Sequence, residues 1–140
     1  MIVNTAYIYM GSGGTPVNPN LWQDGVSNYP VVFTNSSISA DGLTLGKRSG
    51  AATFSELQLT GFNSLTISSP KISVTSPSVT IKIEFFNSAD ELLGTETTQF
   101  SYGVNSRTIN IPSSAKIQNA KIRIKNTSQF SATIISALLS

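Results

Sequence analysis

The chain contains no cysteine and no histidine, and only 11 % of its residues are charged. Without cysteine there are no disulfides, no thiolate metal sites and no cysteine nucleophile. Without histidine the commonest general base, the commonest zinc ligand and the usual partner of a serine nucleophile are gone. Any catalysis would fall to seven carboxylates, Asp24, Asp41, Glu56, Glu84, Asp90, Glu91 and Glu96. No stretch approaches the roughly 20 apolar residues of a membrane span. The N-terminus MIVNTAYIYM lacks the positive flank and long apolar core of a signal peptide, so the expectation is a cytoplasmically made protein without membrane insertion. In that setting the sequons at Asn35 and Asn126 carry no meaning. The balance of nine basic and seven acidic residues leaves +2, too dilute for a nucleic-acid footprint.

Small polar residues fill the gap: 48 of 140 positions are Ser, Thr or Asn. Threonine suits strands and the other two suit turns, whereas helix formers are scarce. Apolar residues recur with period two. In SVTIKIEFF, Val79, Ile81, Ile83 and Phe85 share one face, while Thr80, Lys82 and Glu84 take the other. SRTINIP repeats the pattern at Ile109 and Ile111, and AKIRIKN repeats it at Ile122 and Ile124 against Lys121, Arg123 and Lys125. FSELQL, SLTISS and KISVTS read as further strands. Turn signals punctuate them: Asp41-Gly42, Gly61, Ser69-Pro70, Ser76-Pro77, Asn87 to Asp90, Gly103 and Pro112. Alternation of this kind marks antiparallel strands with one face on a core, and their close spacing predicts a sandwich. The last run, SATIISALLS, is apolar enough to predict a central strand buried on both faces. At 140 residues one domain suffices, burying roughly two-thirds of the unfolded chain's surface.

The N-terminal part reads differently. Residues 1–10 form an arm or edge strand, 11–25 a Gly/Pro-rich connector, and 26–140 the sandwich. Gly11, Gly13 and Gly14 suggest a phosphate cradle, but Pro16 and Pro19 follow where a helix would have to begin, and no lysine precedes Lys47. The glycines therefore read as a hinge. Ile2, Val3, Tyr7 and Tyr9 are the candidate assembly residues of the arm. It either returns as an edge strand of its own sandwich or adds to a neighbouring subunit.

The later strands resemble galactose-binding-like and carbohydrate-binding-module jelly rolls. The likeness rests on IKIEFF, the Asn110-Ile111-Pro112 edge, the Ala120–Ile124 strand and the closing apolar run of Ile134 to Leu139, and spans about residues 30–140. A short β protein without Cys or His, rich in Ser, Thr and Asn, is also similar in type to accessory virion proteins of tailed bacteriophages. These resemblances imply an all-β, single antiparallel jelly-roll sandwich with a short N-terminal arm. They imply a non-enzymatic virion component that is a homo-oligomer, contacting other virion proteins and host cell-surface carbohydrate, or alternatively a carbohydrate-binding module. No cofactor, metal or nucleic acid is expected.

Candidate ligand contacts follow from side-chain chemistry. Trp22, Tyr29 and Tyr102 are aromatic residues next to turn signals, and a ring can stack on the apolar face of a sugar. Arg107 begins a strand beside the Tyr102 loop and supplies a polar contact. Trp22 equally well plugs one end of the sandwich. Lys121, Arg123 and Lys125, with Lys82 alongside, form a basic stripe that either meets an anionic glycan or is a solvated face whose lysines discourage edge pairing. Glu56 and Glu84 are both outward and would have to be neighbours to form a glycosidase pair. Asp90-Glu91 sits at a hairpin tip without the clustered oxygens of a calcium site.

Overall fold

A computed structural model of the protein describes residues 18–70, 75 and 77–140. The arm over residues 2–10, the glycine cluster and most of KISVTS lie outside the described residues. The rest is built almost wholly of short strands, with one 3-10 turn at Ser113–Ala115. The strands are β1 (Trp22–Gln23), β2 (Val26–Ser27), β3 (Val31–Thr34), β4 (Ser36–Ser39), β5 (Gly42–Leu45), β6 (Ala51–Gln58) and β7 (Ser64–Ser68). They continue with β8 (Val79–Asn87), β9 (Leu92–Phe100), β10 (Ser106–Asn110), β11 (Asn119–Asn126), β12 (Ala132–Ile134) and β13 (Ser136–Leu139). Among the described residues no helix is long and apolar enough to cross a membrane.

The period-two pattern sets one layer directly. Strands β9, β8, β11, β6 and β3 form a five-stranded antiparallel sheet in that order. Its inner face carries Ile81, Ile83, Phe85, Ile122, Ile124, Phe54 and Leu57, all fully buried. Each such side chain contributes about 1.5–3 kcal/mol relative to exposure. The opposing layer is two three-stranded sheets, β10-β7-β13 and β12-β5-β4, whose Leu43, Leu45, Leu65, Ile67, Ile134 and Leu139 complete the same core. The molecule is a single antiparallel β-sandwich of jelly-roll type.

Two local features shape it beyond simple alternation. In FSELQL strict alternation would put Phe54 beside Glu56, yet Phe54 and Leu57 are both in the core. A β-bulge resolves the conflict. Ile122 pairs with Phe54 and Ala120 with Leu57, so Ser55 and Glu56 together face Lys121, and Glu56 takes φ of 60°. The closing run is likewise not one strand buried on both faces. It breaks at the exposed Ile135 into β12 and β13, which belong to different sheets, and Leu138 also faces outward. Gly42 is required at the break, because its φ is 115° and a Cβ there would sit 2.3 Å from the Ile134 carbonyl oxygen.

The sandwich starts earlier than residue 26. Asn20 bridges to Leu138, the Leu21 amide donates to the Ala137 carbonyl at 3.0 Å, and Leu21 and Trp22 belong to the core. A buried Asn126 ties the far end. Its side-chain amide donates to the carbonyls of Leu45, Gly46 and Phe130, and its oxygen accepts from Ser128.

Candidate binding surface

The outer face of the five-stranded sheet is open and polar, and register fixes what stands beside what. One row across it reads Thr95, Glu84, Arg123, Thr53 and Val32 on successive strands. The next row reads Thr97, Lys82, Lys125, Ala51 and Thr34. Phe86 lies across from Lys121. Directly opposed side chains on one face have Cβ atoms about 5 Å apart, so each row is a line of neighbours.

At the centre, the Arg123 Nε donates to a Glu84 carboxylate oxygen at 2.8 Å, and its guanidinium lies 4.8 Å from the centre of the Phe86 ring. The Lys82 ammonium approaches the other Glu84 oxygen at 3.8 Å. Burial of Glu84 by itself would raise its pKa. The Arg123 hydrogen bond and the charges of Arg123, Lys82 and Lys125 outweigh it and hold the carboxyl below its ordinary value. Glu84 is thus an ionised acceptor held in place, and the half-exposed Phe86 is an apolar surface next to it. Lys121 is engaged differently, on Asp90 at the hairpin tip, 2.6 Å away.

The proposed stacking residues are scattered. Trp22 is 4 % exposed, stacked on Phe54 at 5.7 Å, and its indole N–H donates to the Ile135 carbonyl. It is the plug, and its ring has no free face for a sugar. Tyr29 packs against the core and donates its hydroxyl to the Asn18 carbonyl at 2.6 Å. Burial raises its pKa, and the phenol is occupied as a tether for the incoming chain. Tyr102 alone keeps an open ring, 62 % exposed on the turn closed by the Val104 amide donating to Ser101. Arg107 lies on the far side of that turn and donates to the Gln99 carbonyl on β9 at 3.1 Å. Ile2, Val3, Tyr7 and Tyr9 lie outside the described residues.

The basic stripe is placed where its edge-guarding explanation fails. β11, carrying Lys121, Arg123 and Lys125, is the middle strand of the five, and β8, carrying Lys82, lies beside it. Among the described residues the edges are β9 and β3, and neither carries a lysine or arginine. Phe86 and the threonines of β9 were not singled out from sequence, although the alternation that buries Phe85 already sends Phe86 to the polar face.

Glu56 and Glu84 are not neighbours. β11 stands between their strands, which puts the backbones about 10 Å apart at normal strand spacing, and Glu84 is committed to Arg123. Among the described residues no three Asp or Glu side chains cluster as a metal site would need. A shallow cleft of about 200 Å³ lined by Trp22, Asp24, Ser39, Gly42, Ile135 and Ser136 opens on the opposite layer, below the usual size of a small-molecule site.

No protein-family model matches the chain, and no curated protein matches it. Solved structures do. A structure of xylanase 10C from Cellvibrio japonicus in complex with xylopentaose is similar at TM-score 0.54 and 15 % identity, covering 75 % of this chain and 24 % of that one. The N-terminal modules of Clostridium thermocellum endo-1,4-β-D-xylanase 10B with xylohexaose give 0.49 and 12 %, covering 89 % and 26 %. A structure of carbohydrate-binding modules from the β-sandwich superfamily gives 0.43 and 15 %, covering 79 % and 52 %. The chain spans about a quarter of the first xylanase's length, and at this identity the likeness is one of β-sandwich fold.

Proposed function

We propose that this chain is a non-catalytic carbohydrate-binding module whose contact surface is the outer face of the five-stranded sheet. The observation that carries the reading is the central row Thr95–Glu84–Arg123–Thr53, with the Phe86 ring beside it. The Glu84–Arg123 pair is the fixed centre, and the groups round it reach solvent: the exposed Thr95 and Thr97 hydroxyls, the part-exposed Lys82 and Lys125 ammoniums, and the part-exposed Phe86 ring, the mixture a sugar's hydroxyls and C–H face require. The sandwich shared with part of a xylanase solved with xylopentaose supports the same direction, while fold by itself does not assign function. A polysaccharide panel in affinity electrophoresis tests it. At least one glycan should retard the wild type, and Phe86→Ala or the double change Thr95→Ala, Thr97→Ala should reduce the retardation. No retardation by any polysaccharide would overturn the reading.

Assembly into an oligomer, as in a bacteriophage virion component, has one supporting observation, and it concerns assembly rather than phage. Among the described residues strand β3 is a sheet edge, with Val32 69 % and Phe33 41 % exposed, and its sequence VVFT has no charge or proline to block pairing. A second copy of the chain fits this edge by antiparallel pairing of β3 with itself about a two-fold axis. Light scattering on the full chain should then give a dimer that Val32→Lys dissociates; a wild-type monomer would sink this reading.

A further inference from the structure

The outer face poses an electrostatic question that solubility does not answer. Four of the chain's nine basic residues, Lys82, Lys121, Arg123 and Lys125, project from two adjacent strands in the interior of the sheet. Lys82 and Lys125 stand directly across from each other, an arrangement that is destabilising in itself. Among the described residues the only ion-pair partner for Lys82 is Glu84, which Arg123 already holds more closely. Among the described residues no carboxylate lies within ion-pair distance of Lys125. Three cations therefore surround one carboxylate, on a face that threonine or serine would have solvated without repulsion. Thr97 flanks Lys82 in the same row, so hydroxyl donors border the excess charge.

Resting on the carbohydrate-binding reading, we propose that the glycan recognised is acidic, a uronic-acid-bearing polysaccharide whose carboxylates sit between Lys82 and Lys125. Charge complementarity selects this class. Arg123 is spent on Glu84 and Phe86, so planar two-point capture of a phosphate is not what the site offers. The two lysines remain as point charges suited to single carboxylates spaced along a chain. Nucleic acid would call for several rings interleaved with the charges, and among the described residues this central patch has a single ring, Phe86, with Arg123 over one of its faces.

The experiment uses the full chain in affinity electrophoresis and calorimetry with four probes: polygalacturonate, its fully methyl-esterified form, neutral xylan and dextran sulfate. The variants are Lys82→Thr, Lys125→Thr, their double, and Lys116→Thr as a charge-matched control, since Lys116 hydrogen-bonds Asn63 elsewhere. Polygalacturonate should bind with an affinity that falls as salt rises. Methyl esterification and the double substitution should each weaken it about tenfold or more, with Lys116→Thr close to wild type. The Lys82 and Lys125 variants should melt no lower than wild type, because a like-charge pair is relieved. Equal binding of the methyl ester or of xylan overturns the acidic-glycan proposal while leaving a carbohydrate-binding module. Equal weakening by Lys116→Thr, or equal binding of dextran sulfate, identifies unspecific polyanion attraction and overturns it as well. Binding of no probe overturns the acidic-glycan proposal, and the carbohydrate-binding reading falls with it only if the wider polysaccharide panel also fails to retard the chain.

Discussion

Arg123 and Glu84 face each other across the two innermost strands of the exposed sheet, joined at 2.8 Å, with the carboxylate almost entirely covered and the guanidinium resting on Phe86. The pair sits where water is partly excluded on one side and open on the other. Removing one partner therefore leaves a poorly hydrated charge. Arg123→Ala is expected to destabilise the fold by about 1–3 kcal/mol, and Arg123→Lys to recover part of that. Urea midpoints with unchanged slopes would measure it.

The same pair gives a pH dependence whose sign follows from the lowered Glu84 pKa. An unfolded glutamate titrates near pH ~4.3, and folded Glu84 titrates lower. The carboxylate's contribution is complete above the unfolded value and is lost as pH falls through the folded one. Urea unfolding from pH 7 down to pH 3 should show a steeper acid loss for wild type than for Glu84→Gln. Parallel curves would contradict the assignment.

Trp22 belongs to the core, and its substitution should be read as a stability change. Trp22→Ala is expected to cost about 3–5 kcal/mol through the cavity over Phe54. Trp22→Phe keeps a ring on Phe54 but loses the hydrogen bond to Ile135 and part of the indole volume, about 1–3 kcal/mol. As the sole tryptophan, it should emit at short wavelength and resist iodide quenching in the native state, with glycan binding unaltered in Trp22→Phe.

Asn126 satisfies three carbonyls from two separate segments. Asn126→Leu keeps the volume but strands those acceptors, and about 3 kcal/mol or more should be lost. Hydrogen exchange should show the loss concentrated in the amides around Gly46, Gly50 and Ser128, whose loops Asn126 holds together.

The strands of the sheet were legible because their chemistry is local. Val79 to Phe85 and Ile122 to Ile124 alternate without interruption, and a pleated strand with one dry face permits no other arrangement. The bulge at Glu56 was foreshadowed by the awkward position of Phe54 in FSELQL, but choosing which residue to displace required the partner strand. The break at Ile135 had no sequence mark of its own. It arises where one continuous run must serve two sheets at once.

What the sequence by itself determined is the class of fold and the classes of chemistry ruled out, since alternation, turn residues and the absence of cysteine and histidine act position by position. What only the tertiary structure decided is which strands are neighbours. Strand order put Lys82 opposite Lys125, set β11 at the centre and not the edge, parted Glu56 from Glu84, and folded Trp22 into the core. Each of those depends on pairing between segments tens of residues apart. Local propensity carries no information about such pairing, because backbone hydrogen bonds between strands are indifferent to the side chains they bring together.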